Sequence, residues 1–210
     1  YADEAALDAG KYYFSAGDMP LAEKWLALVA EKDAQQRAEA THWLCRIQLG
    51  KGAHQKAVEL ANKMLADDPG HFEVNLKMDA ADALYHLPER KRDAVSMYLS
   101  IAEKYPQQSV AAKALYYAAF GYLSVGDYPQ AIETAQAFRI AYPQSEFLAD
   151  TLEVLGQAAL KTKQLTLADE TFQLLVTQFS DHPRQDWWST RAGWIQYLQG
   201  DYDAAIGLLA

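Results

Sequence analysis

Residues 126–145 read Gly126-Asp127-Tyr128-Pro129-Gln130-Ala131-Ile132-Glu133-Thr134-Ala135-Gln136-Ala137-Phe138-Arg139-Ile140-Ala141-Tyr142-Pro143-Gln144-Ser145. Gly126 accepts positive φ, the conformation that closes a preceding helix. Asp127 suits the cap of a following helix. Pro129 suits that helix's first turn, where a backbone N–H is not needed. Tyr142-Pro143 then ends it, because the residue before proline avoids the α region. The stretch predicts a turn, a helix and a stop.

The same pieces return along the chain in one register. Ala22, Ala57, Ala94, Ala131, Ala168 and Ala205 are separated by 35, 37, 37, 37 and 37 residues. Pro69, Pro106 and Pro143 step by 37, as do Tyr105, Tyr142 and Phe179. Gly52, Gly126 and Gly200 step by 74, twice that period. Between these columns apolar residues recur at helical spacing: Leu148, Leu152, Leu155 and Ala159 stand at i, i+4, i+7 and i+11. Almost nothing alternates with period two over a strand's length. Six repeats follow, over 1–34, 35–70, 71–107, 108–144, 145–182 and 183–210, each of two helices. The expected helices are 2–16 and 20–32, 35–50 and 54–67, 71–87 and 91–105, 109–125 and 129–142, 146–163 and 166–179, 184–199 and 203–210. The sixth repeat stops a few residues into its second helix, so the chain is expected to be a segment of a longer array.

The columns have a packing reason. Alanine at the shared position lets each second helix approach its partner closely. Gly10, Cys45, Ala119, Gly156 and Gly193 form a matching small column in the first helices. Met64, Ile101, Phe138 and Leu175 are a large column that fills the remaining space. Asp82 interrupts the small column, so it either finds a capping or charge partner or leaves its repeat loosely packed.

These columns resemble the tetratricopeptide repeat: a small residue midway along the first helix, Gly-Asp-Tyr at the turn, Ala early in the second helix, Pro after it. Gly126-Asp127-Tyr128 with Ala131 and Pro143, and Gly200-Asp201-Tyr202 with Ala205, carry the likeness. The family's usual period is about 34, so the extra residues here are expected in the first helix or in the turn leading to it. The resemblance implies an all-α fold, an α-solenoid of about five and a half helical hairpins wound as a right-handed superhelix. The long period with Tyr-Pro-Gln-Ser resembles repeats of bacterial envelope proteins, which implies a periplasmic or cell-envelope setting; the cytoplasm stays open.

Composition narrows the function. The net charge is −9, and the halves 1–105 and 106–210 carry 13 basic against 17 acidic and 6 basic against 11 acidic residues. Nucleic acid is not an expected partner, because phosphate binding needs clustered cations. The densest basic run, Arg90-Lys91-Arg92, is flanked by Glu89 and Asp93 and reads as a solvated turn. Cys45 is the single cysteine, so no internal disulfide forms. No apolar stretch reaches the length of a membrane span, so direct membrane insertion is not expected. The chain starts at Tyr1 without methionine, and a missing targeting signal carries no information.

No catalytic constellation, metal site or cofactor is expected. Gly50-Lys51-Gly52 lacks the spacing and the following Ser or Thr of a phosphate-binding loop. His42 and Cys45 share a helix face, but no second ligand pair follows and Cys45 belongs to the small packing column. His54, His71, His86 and His182 fall at helix ends or turns, as do Asp67, Asp68, Asp201 and Asp203, where capping explains them.

In this family the first helices line the concave face. The resemblance therefore assigns a partner-binding groove to His42 and Arg46, Asp79 and Ala83, Tyr116 and Phe120, Glu153 and Gln157, and Thr190 and Trp194. Trp187, Tyr197 and Leu123 fall on the same faces. The family's Lys/Asn/Arg clamp for a chaperone C-terminal carboxylate is absent: those columns hold Leu7 and Lys11, or Leu76 and Ala80. Two readings of Tyr116, Phe120, Trp187, Trp194 and Tyr197 stay open, an exposed groove or a packed core. The leading expectation is a non-enzymatic scaffold for a protein or peptide partner. An interaction arm of a larger enzyme or receptor, and glycan binding by the Trp and Tyr cluster, are the alternatives. A homo-oligomer is possible.

Overall fold

The computed structural model describes residues 2–107 and 109–209. Its elements are twelve α-helices: α1 (Ala2–Ser15), α2 (Met19–Lys32), α3 (Arg37–Gly50), α4 (His54–Ala66), α5 (Glu73–Tyr85), α6 (Lys91–Lys104), α7 (Ser109–Ser124), α8 (Tyr128–Ala141), α9 (Leu148–Lys161), α10 (Leu165–Gln178), α11 (Gln185–Gln199) and α12 (Tyr202–Leu209). The described residues contain no strand. Two short 3-10 turns, Gly70–Phe72 and Pro88–Arg90, precede α5 and α6. Every expected helix is present, and the ends shift by three residues at most. The expected 71–87 helix is shortened at both ends: Gly70 takes φ +47 in the first turn, and Pro88 opens the second.

The extra residues of the long period sit mainly in the turns between repeats. Four residues, 33–36, join α2 to α3, where the alanine step is 35. Six residues join α4 to α5 (67–72), α8 to α9 (142–147) and α10 to α11 (179–184). The turns within repeats follow the expected glycine logic: Gly17, Gly52, Gly126 and Gly200 all have φ between +72 and +87. Lys163 occupies the glycine column, 37 residues from Gly126 and from Gly200, and still adopts φ +60. Asp18 accepts a hydrogen bond from the Leu21 backbone N–H at 3.1 Å, and Asp201 from that of Ala204 at 3.0 Å, which satisfies first-turn donors of α2 and α12.

Contacts divide the chain into two compact units, Tyr1–Ile101 and Ala102–Ala210. In the first, Leu26, Val29, Ala40 and Ile47 form one buried cluster, and Cys45, Ala61, Met64 and Leu76 another. In the second, the core runs from Ala119 and Phe138 through Leu155 and Phe172 to Trp188. The small columns do what their register implied. A methyl group added at Gly10 would lie 2.7 Å from Leu26 Cγ, and one at Gly156 would lie 2.7 Å from the Phe172 ring. The Cys45 thiol is fully buried and lies 3.6 Å from the Ala57 carbonyl oxygen, joining the two small columns directly. Burial raises its pKa well above the ordinary thiol range, which makes it an inert packing group.

Candidate partner-binding surfaces

The predicted groove columns place residues on first helices at intervals of 37, and the structure sorts them into buried connectors and exposed side chains. In the first unit, α3 and α5 meet through charge. His42 Nδ1 lies 2.6 Å from Asp79 Oδ2. Arg46 reaches Asp82 at 3.4 Å and Asp79 at 3.9 Å. The Tyr98 hydroxyl of α6 donates to the other oxygen of Asp82 at 2.6 Å. Asp82, the residue that interrupts the small column, therefore has charge and hydroxyl partners. Asp79 is only 2% exposed and does not face a partner, which corrects its placement in an open groove. Ala83 is buried as well. His42 is mostly covered, with Trp43 and Phe72 against its ring, and Arg46 stays exposed at the edge.

Burial pushes the Asp79 carboxyl above the usual carboxylate range, against the opposing pull of His42 and Arg46. A carboxyl raised in the folded state contributes fully below its unfolded pKa and loses stability as pH rises through the folded value. An Asp79→Asn substitution removes that loss. Urea titrations should show the wild type losing ground to the variant as pH rises above about 4, the ordinary aspartate value. A stability difference that stays flat from acid to neutral pH would contradict the assignment.

In the second unit the same columns carry other chemistry. Tyr116 is half-buried and stacks on Phe147 at 5.5 Å, with Phe120 at 6.2 Å. Burial, with the negative charge of Asp150, pushes the Tyr116 hydroxyl up to about 12. Glu153 is a hub. Its carboxylate accepts from the Trp188 indole at 2.9 Å, from Arg184 at 2.7 Å and from Gln157 at 3.1 Å. Arg184 also pairs with Asp150. Glu153 thus connects α9 to α11 and its preceding turn, Gln157 supports it from one turn along α9, and neither is fully exposed.

The aromatic set divides. Tyr116 and Trp187 pack against the core cluster, and Trp187 meets Phe172 edge-on at 5.9 Å. Trp194 and Tyr197 do not: they are 49% and 51% exposed and stack on each other at 5.5 Å. Phe120 is exposed at 36%, and Thr190 is exposed with its hydroxyl donating to the Asp186 carbonyl. Leu123 is partly buried against the same core. Gln157, Trp187 and Trp194 come together in one cleft of about 620 Å³, where Lys161, Lys163 and Arg191 join them.

Sequence reasoning overlooked Trp188, Arg184 and these cations. One signal was present: neighbours on a helix point about 100° apart, so Trp187 and Trp188 cannot share a face. Trp188 stands in the column of Ala40, Lys77, Ala114 and Thr151, of which all but Lys77 are buried.

The tetratricopeptide repeat family model matches residues 113–145, the α7–α8 hairpin and its closing turn. Solved structures agree over nearly the whole chain. A tetratricopeptide repeat protein from Parabacteroides merdae superimposes with a TM-score of 0.74 at 16% identity, covering 98% of this chain and 77% of that one. The fold is that of a tetratricopeptide repeat array. Pseudomonas aeruginosa PilF is similar to it in fold at a TM-score of 0.74 and 16% identity, covering 99% and 88% of the two chains. MamA from Desulfovibrio magneticus is similar at 0.66 and 18% identity, covering 81% and 90%. No curated protein matches the array in sequence. Tetratricopeptide arrays generally serve as protein–protein interaction scaffolds and are typically non-enzymatic. Among the described residues no helix is long and apolar enough to cross a membrane.

Proposed function

We propose that this array binds a protein or peptide partner on the exposed first-helix face of its second unit, without catalysing a reaction. The observation that carries the reading is the exposed Trp194–Tyr197 stack, with Tyr202 5.5 Å from Tyr197. Large rings held in contact while half in water lose hydration without gaining a core. Such rigid aromatics bind partners well because they lose little conformational freedom on contact. A bacterial cell-envelope setting is part of the proposal, supported by the likeness of Tyr142-Pro143-Gln144-Ser145 and its long period to envelope repeats.

Photo-crosslinking in the native host tests this surface. A photoreactive residue in place of Thr190, on α11, should form a discrete partner adduct. The same residue in place of the exposed Thr177, on α10, should not. Adducts from position 177 alone, or equally from both, would move the partner off this face.

A further inference from the structure

The cleft on the second unit is formed by the end of α9, the turn into α10 and one face of α11. Its walls combine Trp187, Trp194, Leu160 and Leu198 with three cations, Lys161, Lys163 and Arg191. Residues 106–210 hold only six basic against eleven acidic side chains. Half of those cations therefore line one cleft, and no carboxylate lines it. Arg184, by contrast, is held by Asp150 and Glu153. Among the described residues Lys161, Lys163 and Arg191 have no carboxylate within ion-pair distance. Arg191 lies over the Trp187 ring at 5.0 Å, which orients its guanidinium without neutralising it. Lys163 adds an independent observation. It keeps a charged side chain at φ +60, where the flanking repeats use Gly126 and Gly200. A non-glycine residue there works against backbone sterics, and such outliers concentrate at functional sites.

We infer that this cleft recognises a short acidic peptide segment that also carries an aromatic or aliphatic side chain. The inference rests on the partner-binding reading and names the partner's chemistry. Carboxylates of the segment pair with Lys161, Lys163 and Arg191, while its apolar side chain packs on Trp194, Leu160 and Leu198. Charge complementarity favours this occupant, because three cations without a carboxylate partner share one cleft in a chain of net charge −9. A long phosphate backbone would leave the cleft and meet a net acidic unit. A neutral sugar would leave all three cations unused.

The test is a peptide array of randomised short sequences probed with the purified chain, followed by anisotropy titration of one selected peptide. Selected sequences should be enriched in Asp and Glu together with Trp, Phe or Leu. The selected peptide should bind less tightly as salt rises. The triple variant Lys161→Gln, Lys163→Gln, Arg191→Gln should weaken it by about tenfold or more, the sum of three exposed pairs. The Asn/Gln analogue of the peptide should lose as much on the unaltered chain, an arm that needs no variant to fold. Equal affinity for the analogue overturns the inference, as does tighter binding of oligothymidylate or chondroitin sulfate. Neutral peptides held in a manner sensitive to Trp194→Ala overturn acidic recognition and leave the partner-binding reading standing. An array that retains no peptide overturns both.

Discussion

Replacing Trp188 with alanine should lower the unfolding free energy by about 3–5 kcal/mol, the range for deleting a large core aromatic. The ring is fully buried. It stacks on His182 at 4.5 Å and meets Phe179 edge-on at 6.3 Å, with Arg184 over its face at 5.6 Å. Its indole N–H is one of the donors that satisfy Glu153. Deleting it opens a cavity between α9 and α11 and takes a donor from a mostly buried carboxylate. Trp188→Phe keeps much of the volume and loses the hydrogen bond, so it should cost less than the alanine change. Repeat arrays distribute stability among neighbouring hairpins. Hydrogen exchange should therefore accelerate first in α9 to α11 and not uniformly. Denaturant titration and exchange on the same variants decide the matter. A loss below about 1 kcal/mol would show that the site collapses around the missing ring or that the ring is not buried.

Trp194→Ala should behave in the opposite way. Its ring is half exposed and stacked only on another exposed ring, so folding should change by about 0.5 kcal/mol or less. Partner affinity should fall by roughly 2–4 kcal/mol, the loss expected of a central aromatic anchor. Leu155→Ala is the matched control: Leu155 is fully buried, and its deletion should cost about 2–5 kcal/mol of stability. The surviving folded fraction of that control should bind normally. If Trp194→Ala instead melts the protein and leaves affinity intact, the ring belongs to a core and the proposed surface is wrong.

The repeat was legible because it is built from local chemistry. A glycine that must take positive φ, a capping Asp, a proline that stops a helix and an alanine that admits a neighbour all act within a few residues of themselves. Their 37-residue step placed every helix within three residues and identified the small columns that bring Gly156 against Phe172. The turns inserted between repeats were legible only as a choice, first helix or connecting turn, since either absorbs the same number of residues.

The groove was legible as positions and not as chemistry. Periodicity placed Asp79, Tyr116, Glu153 and Thr190 in one column, yet one is a buried ion-pair partner, one a stacked ring, one a hydrogen-bond hub and one exposed. What three of them became depended on residues of a neighbouring repeat: Asp79 on His42, Tyr116 on Phe147, Glu153 on Arg184 and Trp188. Such contacts join residues more than thirty positions apart, and a helical period describes only the face a residue occupies. The sequence alone thus determined an all-helical repeat array with alanine and glycine seams. Only the tertiary structure decided which aromatic rings are core and which remain in water. It also gathered Lys161, Lys163 and Arg191 around Trp194, because burial and electrostatic pairing depend on what the neighbouring helix presents.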